Sequence, residues 1–383
     1  MKKIQMVDLK GQYIKIQKEV ELAMQGVVNN TTFINGPEVQ EFATNLENYL
    51  SVANVITCGN GTDALQIALM SLDLQPGDEI ICPDFTFVAT AEVAELLGLK
   101  TVLADVDPST FMLTEKTIKN VISPKTKVIV PVHLFGQCTN MEPILKLAKE
   151  HNLFVIEDTA QAIGAEYTFS NGEKAMAGTM GDIGTSSFFP SKNLGCYGDG
   201  GALFTNNNTL AKKCKSIANH GMGERYFYEC VGINSRLDTI QAAVLNVKLN
   251  YLNEYNAARI RAANYYNKAL LDCKYVTTPV QSINSSHVYH QYTLKLAAGI
   301  NRDELMAYMN KKEIPVKIYY PKPLHSFSPY KQEPNSSLNF EHTEALCSSV
   351  FSLPMHTELD EETLKYITDS LRAFFENISS KIS

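Results

Sequence analysis

Short apolar runs recur along the first half of the chain and predict the strands of a β-sheet. Helical patterns lie between them, with roughly 25 residues from the start of one run to the start of the next. This alternation is typical of a mainly parallel sheet whose strands are joined by helices, so it predicts an α/β fold. The predicted strands are residues 55–57, 79–82, 101–104, 128–132 and 154–156, and two of the helices are residues 64–70 and 144–148.

Two further strands are predicted near residues 185–189 and 202–205, with glycines in the connection between them. That connection is too short for a helical crossover and predicts a hairpin-like return. A helical pattern that begins at Ser235 then leads from a large domain, residues 1–250, into a smaller one, residues 251–383. The smaller domain is predicted to be α+β, with strands at 288–296 and 316–320 and helices at 303–310 and 361–375.

The composition is ordinary for a globular protein and argues against several classes. A net charge of −7 over 383 residues disfavours nucleic acid as the main partner. No run is long enough to span a membrane and no apolar signal core follows the N-terminus, so we expect a cytoplasmic protein without membrane contact. The eight cysteines form no Cys-x-x-Cys pair, which favours reduced thiols and predicts no metal site.

Candidate chemistry centres on Lys192, which follows an apolar strand and precedes a glycine-rich turn. Upstream, Asp158 ends another apolar run. A lysine amine can form a Schiff base with an aldehyde, and a buried acid can hold a protonated ring nitrogen. Pyridoxal phosphate (PLP) needs both groups, because the lysine carries this cofactor and the acid tunes it as an electron sink. The pair therefore predicts a transaminase or a close chemical relative.

Each of these residues also has an ordinary interpretation. Most lysines are solvated surface charges, but Phe188, Phe189 and Pro190 make the surroundings of Lys192 apolar. Partial desolvation there would lower the pKa of the amine. For Asp158, an N-cap role in the next segment fits the sequence as well as a bond to a ring nitrogen does. Neither residue settles the chemistry alone.

Two more segments lie at the edge where such a sheet binds ligands. Residues 59–64 join the first strand to a helix, and their glycines and helix N-terminus suit a phosphate group. Alone, this motif favours a plain strand-to-helix turn. Phe87 could stack on a planar cofactor or pack in the core, and Ser187 offers a hydroxyl to the phosphate. Because these segments occur together with the acid and the lysine, a shared role in cofactor binding explains them better than a separate ordinary role for each.

Taken in order, these motifs resemble those of the DegT/DnrJ/StrS family of PLP-dependent nucleotide-sugar aminotransferases. The resemblance covers nearly the whole chain. It implies the fold type I architecture, with a mixed, mainly parallel seven-stranded sheet in the large domain and a smaller C-terminal α+β domain. It also implies a homodimer with shared active sites, a nucleotide-sugar substrate and an amino-acid donor, expected to be L-glutamate. The matching stretches are residues 7–10, 60–65, 131–137, 156–161, 187–201 and 234–243.

The resemblance also implies roles for individual residues. Lys192 would hold PLP covalently and move a proton between the sugar carbon and the cofactor, and Asp158 would hold the pyridine nitrogen. Gln161 would contact the phenolic oxygen of the cofactor, and Phe87 would stack on its ring. The phosphate would bind Gly61, Thr62, Ser187 and, from the partner subunit, Asn234. Substrate contacts are implied for Arg236, Tyr319 and His325.

Within the family, residues 188–202 and 225–239 are most similar to enzymes that aminate UDP-2-acetamido-2-deoxy-3-oxo-glucuronate. This predicts amination of a 3-oxo nucleotide sugar for surface polysaccharide synthesis. One departure is Tyr319-Tyr320-Pro321, where those enzymes tend to have His-Tyr-Pro. Three alternatives stay open: a 4-oxo nucleotide sugar, a dTDP-3-oxo-6-deoxyhexose, and a regulatory paralogue without catalysis.

Overall fold

The computed structural model describes residues 3–331 and 339–382, and a large β-sheet lies at its centre. The strands are β1 Asn54–Cys58, β2 Glu79–Pro83, β3 Lys100–Ala104, β4 Thr126–Ile129, β5 Phe154–Asp158, β6 Glu166–Thr168, β7 Lys174–Met176, β8 Ile183–Ser187, β9 Gly201–Thr205, β10 Met222–Glu224, β11 Phe227–Tyr228, β12 Val276–Thr277, β13 Tyr292–Leu296 and β14 Val350–Leu353. Seven of them form the large sheet in the order β1-β9-β8-β5-β4-β2-β3.

Helices flank the sheet and make up much of the C-terminal part. They are α1 Leu9–Asn30, α2 Pro37–Leu50, α3 Gly61–Met70, α4 Ala89–Leu96, α5 Glu115–Lys119, α6 Met141–His151, α7 Asn208–Ala218, α8 Thr239–Leu249, α9 Leu252–Ala269, α10 Arg302–Lys311, α11 Glu341–Ser349 and α12 Glu361–Ile382. In the ranges that the structure describes, none of these helices has both the length and the apolar character needed to cross a membrane.

The strand directions explain where a ligand site can form. Strands β3, β2, β4, β5 and β8 run parallel to one another, whereas β9 runs antiparallel to both β8 and β1. This confirms the mixed, mainly parallel seven-stranded sheet and the hairpin-like return. Gly201, the first residue of β9, pairs with Ser187 on one side and with Cys58 on the other. The last residues of β1 and β8 therefore lie at the same edge, two strands apart.

Apolar side chains cover both faces of this sheet. One cluster joins strand residues to helices α3, α4 and α7, and it includes Leu65, Ala91 and Cys214. On the opposite face, Ile144 and Leu147 of α6 pack in a second cluster. A separate core is formed by residues between 262 and 375, with β13 and β14 against α9, α10 and α12. The domain boundary at residue 250 stays a prediction.

One predicted strand is wrong. In the segment 316–320, Lys317 forms a single bridge to Ser352, and the strands that pair with β13 are β12 and β14. Pro315 and Pro321 flank the predicted strand. Proline has no N–H to donate, so this segment is poorly suited to a continuous ladder.

Other elements differ from the sequence-based prediction in their limits. The predicted strand at 288–296 begins only at Tyr292, where β13 starts. The long helical pattern from Ser235 is divided into α8 and α9, with Asn250 and Tyr251 between them. Helices α1 and α2 were not predicted. Both pack on α8, and Val20 of α1 and Leu46 of α2 are fully buried.

Candidate active site

A cavity of about 470 Å³ opens at the edge of the large sheet, beyond the ends of β1, β2, β5 and β8. The fold brings to it motifs that lie far apart in the sequence, and most of the residues with predicted roles line its wall. Those residues are Gly61, Thr62, Phe87, Asp158, Gln161, Ser187, Lys192 and Tyr319. The cavity is therefore the candidate active site.

Lys192 lies in the turn after β8, where its backbone N–H donates to the carbonyl of Phe189 at 2.8 Å. Burial lowers the pKa of its amine to about 8, and the carboxylate of Asp158 acts in the opposite direction. Among the described residues, none makes a hydrogen bond to the Nζ atom. A pKa near 8 leaves about a tenth of the amine unprotonated at pH 7, which is the form that acts as nucleophile and base.

Asp158 is the last residue of β5, and its side chain is bonded from two directions. The hydroxyl of Thr90 donates to Oδ2 at 2.9 Å, and the backbone N–H of Ala160 donates to Oδ1 at 3.1 Å. The bond from Ala160 corresponds to the N-cap role that the sequence also allowed for Asp158. An ionised carboxylate can accept about four hydrogen bonds, so capacity remains on the cavity side for a protonated ring nitrogen.

The start of α3 forms a cradle for an anion. Asn60 caps the helix, because its Oδ1 accepts from the N–H of Asp63 at 2.9 Å. A Cβ atom at Gly61 would lie 2.7 Å from the Cβ of Ser187, so the contact between the helix and the end of β8 requires glycine. The first N–H groups of a helix lack partners within it and favour a phosphate there. Thr62 and Ser187 add hydroxyl groups to the same wall.

Aromatic rings and an amide complete the wall. Phe87 lines the cavity and is 56% exposed, so much of its side chain is free to contact a ligand. Gln161 is held through both ends of its amide: Oε1 accepts from the N–H of Phe135 at 2.8 Å, and Nε2 donates to the hydroxyl of Tyr320 at 3.2 Å. The second hydrogen on Nε2 remains for an oxygen acceptor in the cavity.

Three residues with predicted roles do not line this cavity. His325 instead bonds to Asp84, with 2.6 Å between Nδ1 and Oδ2. Arg236 lines a larger cavity of about 690 Å³, which contains neither Lys192 nor Asp158. Asn234 forms a β-bridge with Asn219. The roles predicted for these three residues stay predictions.

The sequence did not identify several residues that belong to the site. Thr90 and Tyr320 lie 68 and 159 positions from the acid and the amide that they contact, so no local pattern indicated either role. His290 lines the cavity, and its Nδ1 is 3.3 Å from Oδ1 of Asn193. Burial holds the pKa of His290 well below its usual range, so its ring is neutral. It was hidden inside a predicted strand, and no local pattern indicated a role.

The donor set fits PLP. Thr86 and Ser186 line the cavity, and their hydroxyl oxygens are buried without a hydrogen-bond partner among the described residues. Buried polar groups normally have partners, so these orphaned oxygens favour a polar ligand in the cavity. Gly61, Thr62 and Ser187 would hold its phosphate, Asp158 its ring nitrogen and Lys192 its aldehyde carbon. When bound, PLP supplies the electron sink for transfer of an amino group.

This fold, with a lysine and an acid in one cavity beside the start of a helix, is the fold of PLP-dependent aminotransferases. The profile of the DegT/DnrJ/EryC1/StrS aminotransferase family matches residues 14–372, and the chain belongs to that family. The expected resemblance is confirmed, and the protein is a PLP-dependent aminotransferase.

Three individual proteins illustrate the similarity. The UDP-2-acetamido-2-deoxy-3-oxo-D-glucuronate aminotransferase of Pseudomonas aeruginosa is 40% identical over 96% of this chain and 99% of its own. A pleiotropic regulatory protein of Geobacillus stearothermophilus is 39% identical over 98% of this chain and 100% of its own. The structure of S. venezuelae DesV in complex with a ketimine intermediate superposes with a TM-score of 0.91, at 32% identity, over 98% of this chain and 99% of its own.

Proposed function

We propose that the protein transfers the amino group of L-glutamate to the 3-oxo carbon of a nucleotide-activated sugar, in the cytoplasm and for surface polysaccharide synthesis. The observation that carries the catalytic part is the meeting of Lys192 and Asp158 in one cavity with an anion cradle. The choice of a 3-oxo sugar rests on the Pseudomonas relative, whose name specifies such a substrate.

Different side chains contribute to proton transfer and to the orientation of the groups that would bind the cofactor. Lys192, with a pKa near 8, can take a proton from the substrate carbon and return it at a neighbouring position without leaving the cavity. Thr90 and the N–H of Ala160 hold the carboxylate of Asp158 in one orientation. Tyr320 and Phe135 do the same for the amide of Gln161. Fixed orientation lowers the reorganisation needed during the reaction.

We also propose a homodimer whose two active sites are shared. Among the described residues that line the cavity, Lys192 is the only lysine or arginine, yet glutamate and a nucleotide sugar both carry negative charge. Arg236 and Asn234 do not line the cavity of their own chain. A cation and a phosphate ligand from the second subunit would complete the site.

Substrate choice is tested with a panel of 3-oxo and 4-oxo nucleotide sugars, including uronates and 6-deoxyhexoses, with glutamate as donor. Release of 2-oxoglutarate is followed, and Lys192→Ala is the inactive control. We expect the highest kcat/KM with a 3-oxo sugar. Activity confined to 4-oxo sugars would contradict the position of amination, and activity confined to a dTDP-3-oxo-6-deoxyhexose would favour that alternative substrate.

The shared site is tested by mixing two inactive variants, Lys192→Ala and Arg236→Ala. Random exchange of subunits gives about half mixed dimers, each with one intact site, so we expect about a quarter of the wild-type activity. If Arg236 serves its own chain, no mixed dimer contains an intact site and mixing restores nothing.

The name of the Geobacillus relative favours one rival, a regulator without catalysis. A regulator has no need for a desolvated lysine beside an acid, and both are present here. Purified protein that binds PLP but neither releases 2-oxoglutarate with any oxo-sugar nor converts the cofactor with glutamate would support the rival.

A further inference from the structure

Tyr319 and Tyr320 reach the active-site cavity on a segment that ends in a short 3-10 turn, Leu324–Ser326, and has no β-strand or α-helix to hold it in place. The segment 319–325 leaves the C-terminal core, passes the cavity, and ends at the edge of the large sheet. Its position therefore depends on individual contacts. Two consecutive residues just beyond β2, Asp84 and Phe85, provide them.

The first contact is between Asp84 and His325. Asp84 is 1% exposed and does not line the cavity. Its Oδ1 accepts from the backbone N–H of His325 at 2.8 Å, and its Oδ2 lies 2.6 Å from Nδ1 of the same residue. The backbone N–H of Leu324 also donates to the carbonyl of Asp84, at 3.3 Å. Burial raises the pKa of Asp84, and the bonds from His325 oppose that shift.

The imidazole of His325 is engaged on its other sides as well. Its Nε2 lies 3.4 Å from Oε1 of Glu344, a largely exposed side chain on α11. Its ring stacks on Phe340, with 4.4 Å between the ring centroids and 16° between the planes. Both ring nitrogens therefore face carboxylates of the protein, and one face is covered. Little of the ring is left to contact a substrate.

The second contact is between Phe85 and Tyr320. Their ring centroids are 5.8 Å apart at an interplanar angle of 74°, which is an edge-to-face arrangement. The hydroxyl of Tyr320 accepts from Nε2 of Gln161, whose predicted role is to bind the cofactor. Neighbouring residues of one turn thus hold both ends of the short segment between Tyr320 and His325.

We propose that His325 is a positioning residue for substrate binding. Bonded to Asp84, it fixes the segment 319–325 so that Tyr319 and Tyr320 line the cavity, and it does so without touching the substrate. This inference revises the substrate contact expected of His325, and its kinetic part rests on the proposed function.

The test compares Asp84→Asn, His325→Ala, the double variant, and a matched pair at position 325. Asparagine places its amide nitrogen near the position of Nδ1, whereas glutamine reaches the position of Nε2. The exposed His342, on the neighbouring helix α11, provides His342→Ala as a control. We expect His325→Ala and Asp84→Asn each to raise KM for the oxo-sugar by about tenfold with a smaller effect on kcat. The double variant should be no worse than either, and His325→Asn should retain more activity than His325→Gln.

Hydrogen exchange of the backbone in holoenzyme without sugar gives a readout besides activity. Exchange in the segment 319–327 should become faster in both single variants and stay unchanged in His342→Ala. If Asp84→Asn behaves as wild type while His325→Ala loses sugar binding, His325 touches the substrate and the proposal is wrong. Lower thermal stability with unchanged KM and unchanged exchange would overturn it too.

The two proposals can fail separately. If the wild-type enzyme aminates no oxo-sugar, the proposed function fails, but the exchange measurement still decides whether Asp84 and His325 hold the segment. If the wild-type enzyme aminates the sugar and the exchange rates of the variants match the wild type, only the positioning role fails. A variant that does not fold is replaced by the matched pair His325→Asn and His325→Gln, which keeps the comparison.

Discussion

Lys192 and Lys248 experience similar desolvation, and burial lowers the pKa of each to about 8. Their partners differ. The Nζ of Lys248 donates to the carbonyl of Gly195 at 2.6 Å and lies 5.0 Å from the ring centroid of Tyr197. The Nζ of Lys192 has no hydrogen-bond partner in the described part of the chain, and it borders a cavity. Lys248 supports the turn that follows Lys192, whereas the amine of Lys192 can still bind a group in the cavity.

Two neighbouring acids on β5 show the same contrast. Glu157 points away from the cavity, and its carboxylate accepts four hydrogen bonds. The donors are Nε2 of His133 at 2.8 Å and the backbone N–H groups of Gly178 at 3.0 Å, Met180 at 2.7 Å and Gly181 at 2.6 Å. Asp158 accepts from two protein donors and lines the cavity. All four charged groups are buried, so burial does not distinguish the two pairs. What distinguishes Lys192 and Asp158 is that each borders a cavity and can still form further hydrogen bonds there.

The largest loss of activity is expected for Lys192→Ala, with Lys248→Met as the variant for comparison. Loss of the Lys192 amine removes covalent cofactor attachment and the proton carrier, so turnover should fall by at least about 1000-fold. The absorbance band of bound cofactor and the release of 2-oxoglutarate measure the two effects. Turnover retained by Lys192→Ala would refute the role of this lysine.

The next largest effect is expected at Asp158. Asparagine keeps the shape of the side chain but removes the negative charge that stabilises a protonated ring nitrogen, so kcat should fall by about 100-fold. Steady-state kinetics of holoenzyme saturated with PLP measure it. A near-normal kcat for Asp158→Asn would mean that its charge has no part in the reaction.

Glu157→Gln should affect stability and spare the chemistry. The glutamine amide presents N–H groups to other N–H donors, so the free energy of unfolding should drop by about 2–4 kcal/mol. Urea unfolding of the apoenzyme measures this loss, while kcat per folded molecule should stay near the wild-type value. A large loss of kcat with unchanged stability would place Glu157 with the functional residues.

The lowered pKa of Lys192 predicts how cofactor attachment depends on pH. Only the unprotonated amine attacks an aldehyde, so the attachment rate of the apoenzyme should rise by about tenfold per pH unit below 8 and level off above it. Stopped-flow absorbance after mixing with PLP gives the profile, and Lys248→Met should share it. A rate that keeps rising towards pH 10 would show that the amine has its ordinary pKa.

The smallest effect is expected for Lys248→Met. An apolar side chain relieves the desolvated charge but leaves the carbonyl of Gly195 unpaired, so the unfolding free energy at pH 7 should change by less than about 1 kcal/mol. The effect should depend on pH. Because the folded pKa of Lys248 is lowered, the unfolded chain binds more protons between about pH 8 and 10.5, and wild-type stability gains with pH in that window. Parallel pH profiles for wild type and variant would contradict this.

The sequence predicted what local patterns encode. Apolar runs located the strands of the large sheet, and the motifs at Gly61, Asp158 and Lys192 located one wall of the cavity. These motifs lie at the ends of strands that finish at the same edge of the sheet. The α/β alternation therefore predicts that they lie close together. The strand β14 was missed because its four residues show no alternation of polar and apolar positions, and all of them are buried.

Contacts between distant segments could not be predicted in this way. Asp84 and His325 lie 241 positions apart, and nothing near either residue indicates the other. The same holds for Tyr320 and Gln161, which are 159 positions apart. The resemblance placed His325 near the substrate, but only the structure shows that a buried carboxylate occupies its Nδ1.

The antiparallel strand β9 has a consequence for synthesis of the chain. Strand β1 carries the cradle at Gly61 but is connected to the rest of the sheet only through β9. In a nascent chain that ends before Gly201, β1 has no partner strand in this sheet, and only helix packing, such as that of α3 on β8, can hold the cradle beside Ser187. We therefore expect firm cofactor binding only after β9 has been made and inserted, later than the pairing of the five parallel strands.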